Sequence, residues 1–333
     1  MEVPEHLIDI EALFASKNPA LKKLIPGFVL RYLKKITHQD EINGYIWRNR
    51  DKSGLPFVDA ILKEFGVHVV MVDRRKKPAC NSGDDQPDPV IPPTGRFIVA
   101  ANHPLGGLDG MALMFQLGKF RQDLVFPVND LLMNVPGLRP LFIPINKHGR
   151  NTENAMLIDE TFASGKMVLY FPAGLVSRKH KLKRLIRENP GKWIISPGNG
   201  MPAPVPGSCR NGISGDPTFF IPASTLVNDH SVIRDLEWKS TFIKKAKKYQ
   251  RSIIPVFIEG RNSEWFYNLA NWRKSMSIGA NIEMLYLVDE MVKQLGKTIT
   301  IMVGDPISWT TFDRTKTDSQ WASLIKEKVY ELG

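Results

Sequence analysis

His103 and Asp109 lie in "FIVAANHPLGGLDGMALMFQ" (Phe97–Gln116), where an apolar strand-like run passes through a glycine-rich turn into a helix-like pattern. An imidazole titrates near pH 6.5 and can take a proton from a hydroxyl at neutral pH. It does so best when a carboxylate fixes its tautomer and stabilises the imidazolium. Asp109 can serve if Gly106-Gly107 folds the turn back, because glycine accepts positive φ without strain. Asp109 is also a sensible N-cap for a helix beginning at Gly110, which would leave His103 a turn residue. The local sequence leaves both readings open.

No stronger constellation competes with this pair. There is no HExxH, no G-x-S-x-G elbow, no P-loop and no G-x-G-x-x-G after a strand. Nucleophilic catalysis lacks an obvious carrier and a metal site lacks a ligand cluster, so the remaining chemistry is direct attack by a substrate hydroxyl with His103 as base. Three further stretches place polar residues after an apolar run. "MVLYFPAGLVSRKHK" (Met167–Lys181) turns at Gly174 and delivers Ser177, Arg178 and Lys179. "LFIPINKHGRN" brings Lys147, His148 and Arg150, and "SIIPVFIEGRNS" brings Glu259, Arg261 and Asn262. Arginine and lysine at the C-terminal ends of strands suit phosphate or carboxylate binding, although each turn also reads as a solvated basic loop.

The elements that must hold these residues are legible as alternation. Val67–Asp73, Arg96–Asn102, Leu124–Asn129, Leu141–Asn146, Met167–Pro172, Ser252–Gly260 and Thr298–Gly304 read as strands. Helical patterns cover Met111–Phe120, Thr152–Ser164, Leu236–Tyr249 and Ile282–Leu295. This predicts an α/β fold: a layered α/β/α domain over 67–333 with a mainly parallel or mixed sheet of about seven strands. A Gly/Pro-rich insertion is expected at about 182–230, read as a lid, a surface excursion with short strands, or disorder. Residues 1–66 read as an N-terminal helical segment. There Leu21, Leu24, Ile25, Phe28, Val29, Leu33 and Ile36 alternate with Lys22, Lys23, Arg31, Lys34 and Lys35. Such a stripe packs on a core or lies in a membrane interface, and Pro26-Gly27 should break it into two short helices.

Composition narrows the class. Of 333 residues, 43% are hydrophobic and 24% charged, as in soluble globular proteins, and no run approaches the roughly 18 apolar residues of a membrane span. The acidic N-terminus has no signal-peptide core, and two cysteines, Cys80 and Cys209, suit a reducing cytoplasm. The net charge of +11 suits nucleic acid, anionic lipid, or acidic carriers such as acyl-carrier protein and coenzyme A. Aromatic residues do not interleave with the basic runs as stacking platforms for nucleic acid require.

Taken in order, Asn102-His103-Pro104 with Asp109, Phe142–Arg150, Phe171-Pro172-Ala173-Gly174 with Ser177-Arg178, and Ile254-Pro255-Val256 resemble the four motifs of the lysophospholipid (glycerolipid-type) acyltransferases. The chain looks most like their bacterial hemolysin-like branch, some of which acylate lyso-amino-acid lipids. The resemblance runs from about Arg96 to Gly304 and departs twice from the pattern. Five residues separate His103 from Asp109 (HxxxxxD) where the family has four, and Ala173 replaces a glutamate that helps position the acceptor. It implies an O-acyltransferase, similar to 1-acylglycerol-3-phosphate O-acyltransferases, that moves a fatty acyl group from acyl-CoA or acyl-carrier protein to a lysophosphatidic acid-like or lyso-amino-acid lipid. His103 would be the general base and Asp109 its partner. Lys147, Arg150, Gly174, Ser177, Arg178 and Lys179 would bind substrate, with no metal and no cofactor beyond the acyl donor. Peripheral contact with an anionic membrane at its cytoplasmic face follows, without nucleic-acid binding. Two alternatives remain: a non-catalytic basic protein on anionic lipid, and an esterase or thioesterase using the same pair.

Overall fold

The computed structural model describes residues 9, 11, 26–76, 89–145, 152–189, 191–196, 218–228, 230–279 and 281–333. Helices α1 (Gly27–Ile36), α2 (Gln39–Arg48) and α3 (Leu55–Glu64) come first, then strands β1 (His68–Asp73) and β2 (Phe97–Ala101). Helix α4 (Gly107–Leu117), β3 (Leu124–Val128), β4 (Phe142–Pro144), α5 (Thr152–Ala163) and β5 (Met167–Tyr170) follow. The next stretch holds β6 (Arg178–Lys181), α6 (Leu182–Glu188), β7 (Lys192–Ser196), β8 (Thr218–Pro222), β9 (Leu226–Asn228) and β10 (Ser231–Arg234). The chain continues through α7 (Thr241–Tyr249), β11 (Ser252–Ile258), α8 (Glu264–Ser275), α9 (Leu287–Val292), β12 (Thr298–Val303) and α10 (Asp318–Tyr330).

All seven strands expected from the sequence form one seven-stranded sheet in the order β1-β12-β11-β2-β5-β3-β4. The β11–β2, β3–β4 and β3–β5 pairs are parallel and β11–β12 is antiparallel. The chain divides into two compact units. The first is Met1–Val69, Leu105–Val168 and Asn262–Thr298; the second is Val70–Pro104, Leu169–Arg261 and Ile299–Gly333.

In the second unit β2 and β11 read as near-continuous apolar runs because both faces are covered: Ile98 to Ala101 and Ile253 to Ile258 are buried. Pro255 sits inside this central strand, where proline is ordinarily excluded. The register explains it. Val256 to Ile258 pair regularly with Val303 to Ile301, whereas the Ile253–Ile307 bridge is displaced from that register by one residue, so the ladder slips opposite Pro255, with the extra residue on the partner between Val303 and Ile307. Helix α10 packs on β8, β11 and α7. Its Trp321, Ala322, Ile325 and Val329 are buried, and Tyr330 meets the Phe257 ring edge-on with centroids 5.7 Å apart. A Thr317–Gln320 capping box starts this helix.

Within the expected insertion, the described residues carry β7–β8 as a parallel pair and β9, which joins β6 and β10 on either side of the insertion in an antiparallel three-stranded sheet. Cys80 and Cys209 lie outside the described residues.

In the first unit α3 packs on α4, burying Phe57, Val58, Ile61 and Leu62 with Leu108, Ala112, Leu113 and Leu117. Pro26 is the N-cap of α1, and the helix expected before it, with the apolar positions 21, 24 and 25, lies outside the described residues. Helix α1 buries Leu33 and Ile36 but leaves Phe28 and Tyr32 exposed.

Two glutamates hold α8. Glu290 accepts from Ser263 Oγ at 2.6 Å at the start of the helix and pairs with Lys293. Glu283 pairs with Arg273 in its last turn, Nε to Oε2 at 2.7 Å. Both glutamates are fully buried, so α8 is pinned at each end by a charge that only its partners neutralise.

Candidate active site

His103 stands two residues beyond β2 in the second unit. The strand does not simply stop before it. Buried Asn102 donates from Nδ2 to the Ile258 carbonyl at 2.9 Å and accepts the Ile258 N–H on Oδ1 at 2.6 Å. Its amide stands in for one further peptide of the ladder against β11.

The main chain of His103 is held on both sides. Its N–H donates to Asp235 Oδ1 at 3.2 Å, and its carbonyl accepts from the Ser177 N–H at 2.8 Å. Ser177 Oγ donates to the same Asp235 Oδ1 at 2.6 Å. The imidazole lies nearly flat on the Phe171 ring, with centroids 4.1 Å apart and planes 17° apart.

Asp235 is buried and is itself fixed. Trp238 Nε1 donates to its Oδ2 at 2.8 Å, its own N–H donates to Tyr330 Oη at 2.8 Å, and Lys326 Nζ donates to its carbonyl at 2.8 Å. Burial, with the nearby Arg234 charge, lowers the Lys326 ammonium to about 8, and burial holds the Tyr330 phenol well above its usual range. Arg234 pairs with Glu327 at 2.6 Å and also donates to the Phe220 carbonyl. Helix α10 thus supplies three polar groups to this cluster.

Asp109 belongs to the first unit, where it is fully buried. It is the third residue of α4 and not its N-cap. The N-cap is Gly106 (φ 86°), and Asp109 Oδ2 accepts from the N–H groups of Leu105 at 2.8 Å and Gly106 at 3.0 Å. The helix therefore starts at Gly107, three residues earlier than the N-cap reading implied, and only Gly106 uses the freedom expected of the glycine pair. A carboxylate in the first helical turn is favoured by the free N–H groups there.

The candidate binding residues differ in setting. Gly174 (φ 66°) closes a turn whose N–H reaches the Phe171 carbonyl at 3.0 Å. Ser177 is buried with its hydroxyl on Asp235. Arg178 and Lys179 open β6 opposite Arg234 and Ile233, Arg178 buried and Lys179 half-buried. Lys147 and Arg150 lie outside the described residues. A cavity of about 260 Å³ in the first unit, lined among others by Leu55, Gln122, Asp123 and Leu141, contains none of the candidates. Among the described residues, no group of three or more His, Cys, Asp or Glu side chains is placed to hold a metal ion.

A family model described as acyltransferase matches residues 12–186 and 215–333. The chain belongs to that acyltransferase family. The match extends well beyond the four motifs and breaks at 187–214, inside the Gly/Pro-rich stretch. The acyltransferase is 38% identical over 328 residues to a lyso-glycine lipid O-acyltransferase of Bacteroides thetaiotaomicron, covering 98% of this chain and 97% of that one. It is 37% identical over 328 residues to the enzyme of the same name from Phocaeicola vulgatus, covering 98% and 95%. The 1-acyl-sn-glycerophosphate acyltransferase PlsC of Thermotoga maritima aligns over 83% of this chain and 80% of its own, with 14% identity and a TM-score of 0.34.

Asp235, Phe171 and Asn102 were not singled out from the sequence as supports of His103. Only Asn102 had a local signal, as a polar residue closing an apolar strand.

Proposed function

We propose that this acyltransferase transfers a fatty acyl group from an acyl thioester to the free hydroxyl of a lysolipid, with a lyso-amino-acid lipid such as lyso-glycine lipid as acceptor. One observation carries the acceptor: 38% and 37% identity, nearly end to end, to two proteins named lyso-glycine lipid O-acyltransferase. Ala173, where the related motif has glutamate, fits an acceptor other than lysophosphatidic acid.

In this mechanism His103 removes the hydroxyl proton as the oxygen attacks the thioester carbonyl. The thiolate of coenzyme A or acyl-carrier protein departs and takes a proton back from the imidazolium, leaving an ester and a thiol. Asp109 holds the imidazole in its productive tautomer and stabilises its charged form. A base of this kind contributes about 10²- to 10⁴-fold. Arg178 and Lys179, with Lys147 and Arg150, supply positive charge for the acceptor's anionic group. The decisive experiment offers acyl-CoA and acyl-carrier protein with a panel of lysolipids and reads products by mass spectrometry. Acylated lyso-glycine lipid is the expected product. Free fatty acid alone would replace this reading with a hydrolase, and no turnover of any donor would leave a lipid-binding protein.

We further propose that the protein works peripherally, on the anionic cytoplasmic face of a membrane. The support is a face of the first unit. Trp265, Leu269 and Trp272 of α8 and its C-cap Met276 follow one stripe, and Trp265, Trp272 and Met276 are 55%, 53% and 59% exposed. Tyr286 joins this stripe to α1: it meets Trp265 edge-on at 6.2 Å and shares a 2.6 Å hydrogen bond with Tyr32. Phe28 is exposed on the same helix as Tyr32, and Arg31, Lys35 and Lys274 are exposed on α1 and α8. Burial and the Tyr32 bond push the Tyr286 phenol up to about 12, so it stays neutral in use. Apolar aromatic side chains beside lysines are suited to the headgroup boundary. No described helix is long and apolar enough to cross a membrane.

A further inference from the structure

We infer that Asp235, which lies outside the four sequence motifs, is a positioning residue for His103, acting on its N–H directly and through Ser177, and that the three form a clamp. The inference rests on the proposed role of His103. One carboxylate oxygen of Asp235 accepts both the His103 N–H and the Ser177 hydroxyl, and the Ser177 N–H returns to the His103 carbonyl. The ring of three hydrogen bonds fixes the position of the His103 main chain, while Phe171 fixes the plane of its imidazole.

The chemistry requires a carboxylate at 235. Three donors converge on it: the His103 N–H, the Ser177 O–H and the Trp238 Nε1–H. An ionised carboxylate has acceptor sites for all of them, whereas an asparagine must turn its own N–H₂ toward at least one of these donors. The residue is anchored from behind by Tyr330, and by Lys326 through its carbonyl, so its oxygens do not search for their partners. A bare structural carboxylate would need no such link to the residue after a strand end. Here every bond of the clamp ends on the main chain of the proposed base or on the serine that also holds it. Ser177 thereby gains a function that does not require contact with substrate. Its N–H ties the loop after β5 to the position after β2, and its hydroxyl ties the same loop to Asp235 beyond β10.

The two members act as one unit, so their losses must not multiply. Asp235→Asn is expected to lower kcat about ten- to a hundredfold, the scale of a displacement of about 1 Å at a reacting group, with KM for both substrates within about twofold of wild type. Ser177→Ala should lower kcat by a smaller factor, and Ser177→Thr, which keeps the hydroxyl, should restore most of it. The double variant should lose no more than Asp235→Asn alone. Circular dichroism and thermal melts establish that each variant is folded. A folded Asp235→Asn enzyme with wild-type kcat would overturn the clamp, as would multiplicative losses in the double variant. If Asp235→Asn does not fold, Ser177→Ala decides alone, and wild-type kcat in it overturns the inference. His103→Ala measured beside them separates the two levels. Full turnover in that variant refutes the base itself, whereas an inactive His103→Ala beside a fully active Asp235→Asn refutes only the clamp.

Discussion

The His103 clamp and the α8 face use the same device for opposite ends. In the second unit, Asp235 and the Arg234–Glu327 pair are buried, and the result is a polar side chain set at the end of a strand. In the first unit, Glu283 and Glu290 are buried against Arg273, Ser263 and Lys293, and the result is a helix that keeps two tryptophans and a methionine turned outward. Each buried charge is retained by hydrogen bonds that only one arrangement satisfies. The difference lies in what is held. One region fixes the proposed base against displacement; the other fixes apolar surface against collapse onto the core.

The comparison is broken most severely at His103. His103→Ala should remove acyl transfer by about 10³-fold or more while changing stability by less than about 1 kcal/mol, because the side chain is only partly buried. Turnover assays with mass-spectrometric detection and thermal melts check both halves. Next comes Glu283→Ala, which leaves Arg273 without its carboxylate and should cost about 3 kcal/mol in urea unfolding. An unchanged midpoint would show that α8 is held by its apolar contacts alone.

A smaller effect is expected at the exposed face. Trp265→Ser and Trp272→Ser should each weaken binding to vesicles containing anionic lipid about tenfold, near 1.4 kcal/mol, while kcat on detergent-dispersed substrate stays at wild type. Sedimentation of the variants with vesicles reads this directly, and undiminished binding would remove the face from the membrane.

The subtlest effect is one of pH. The ammonium of Lys326 titrates near 8 in the folded protein and near its ordinary 10.5 when unfolded. Between those values the unfolded chain binds the extra proton, so this group makes stability rise with pH. Wild type should therefore gain on Lys326→Met from pH 8 to 10 in paired denaturation curves. A difference that stays flat over that window would place the lysine's charge elsewhere.

The seven strands of the sheet were legible because each is an apolar run flanked by turn residues, and each was located within a residue or two of its ends. Helix Leu236–Tyr249 was read too long. Asp235 to Lys239 form the non-helical approach to α7, where Asp235 and Trp238 are buried for their hydrogen bonds, not for a helical stripe. Helix α10 passed unread although Thr317 and Gln320 spell its capping box, since lysines and glutamates dilute its apolar spacing. The clamp was illegible for a stronger reason. Asp235 reaches a residue 132 positions away and is itself approached from 95 positions away, and nothing in "VIRDLEW" marks either partner. Trp265 and Trp272 were readable as a helical period, but spacing alone cannot tell a stripe that faces a core from one that faces solvent.

Asn102 gives the chain an exit from the sheet that leaves no rung missing. Because a side-chain amide completes the last pairing with Ile258, the backbone is free to change direction one residue sooner than a strand ordinarily permits. The departure point of the turn toward Asp109 is therefore set by the neighbouring strand and not by the length of the spacer that follows.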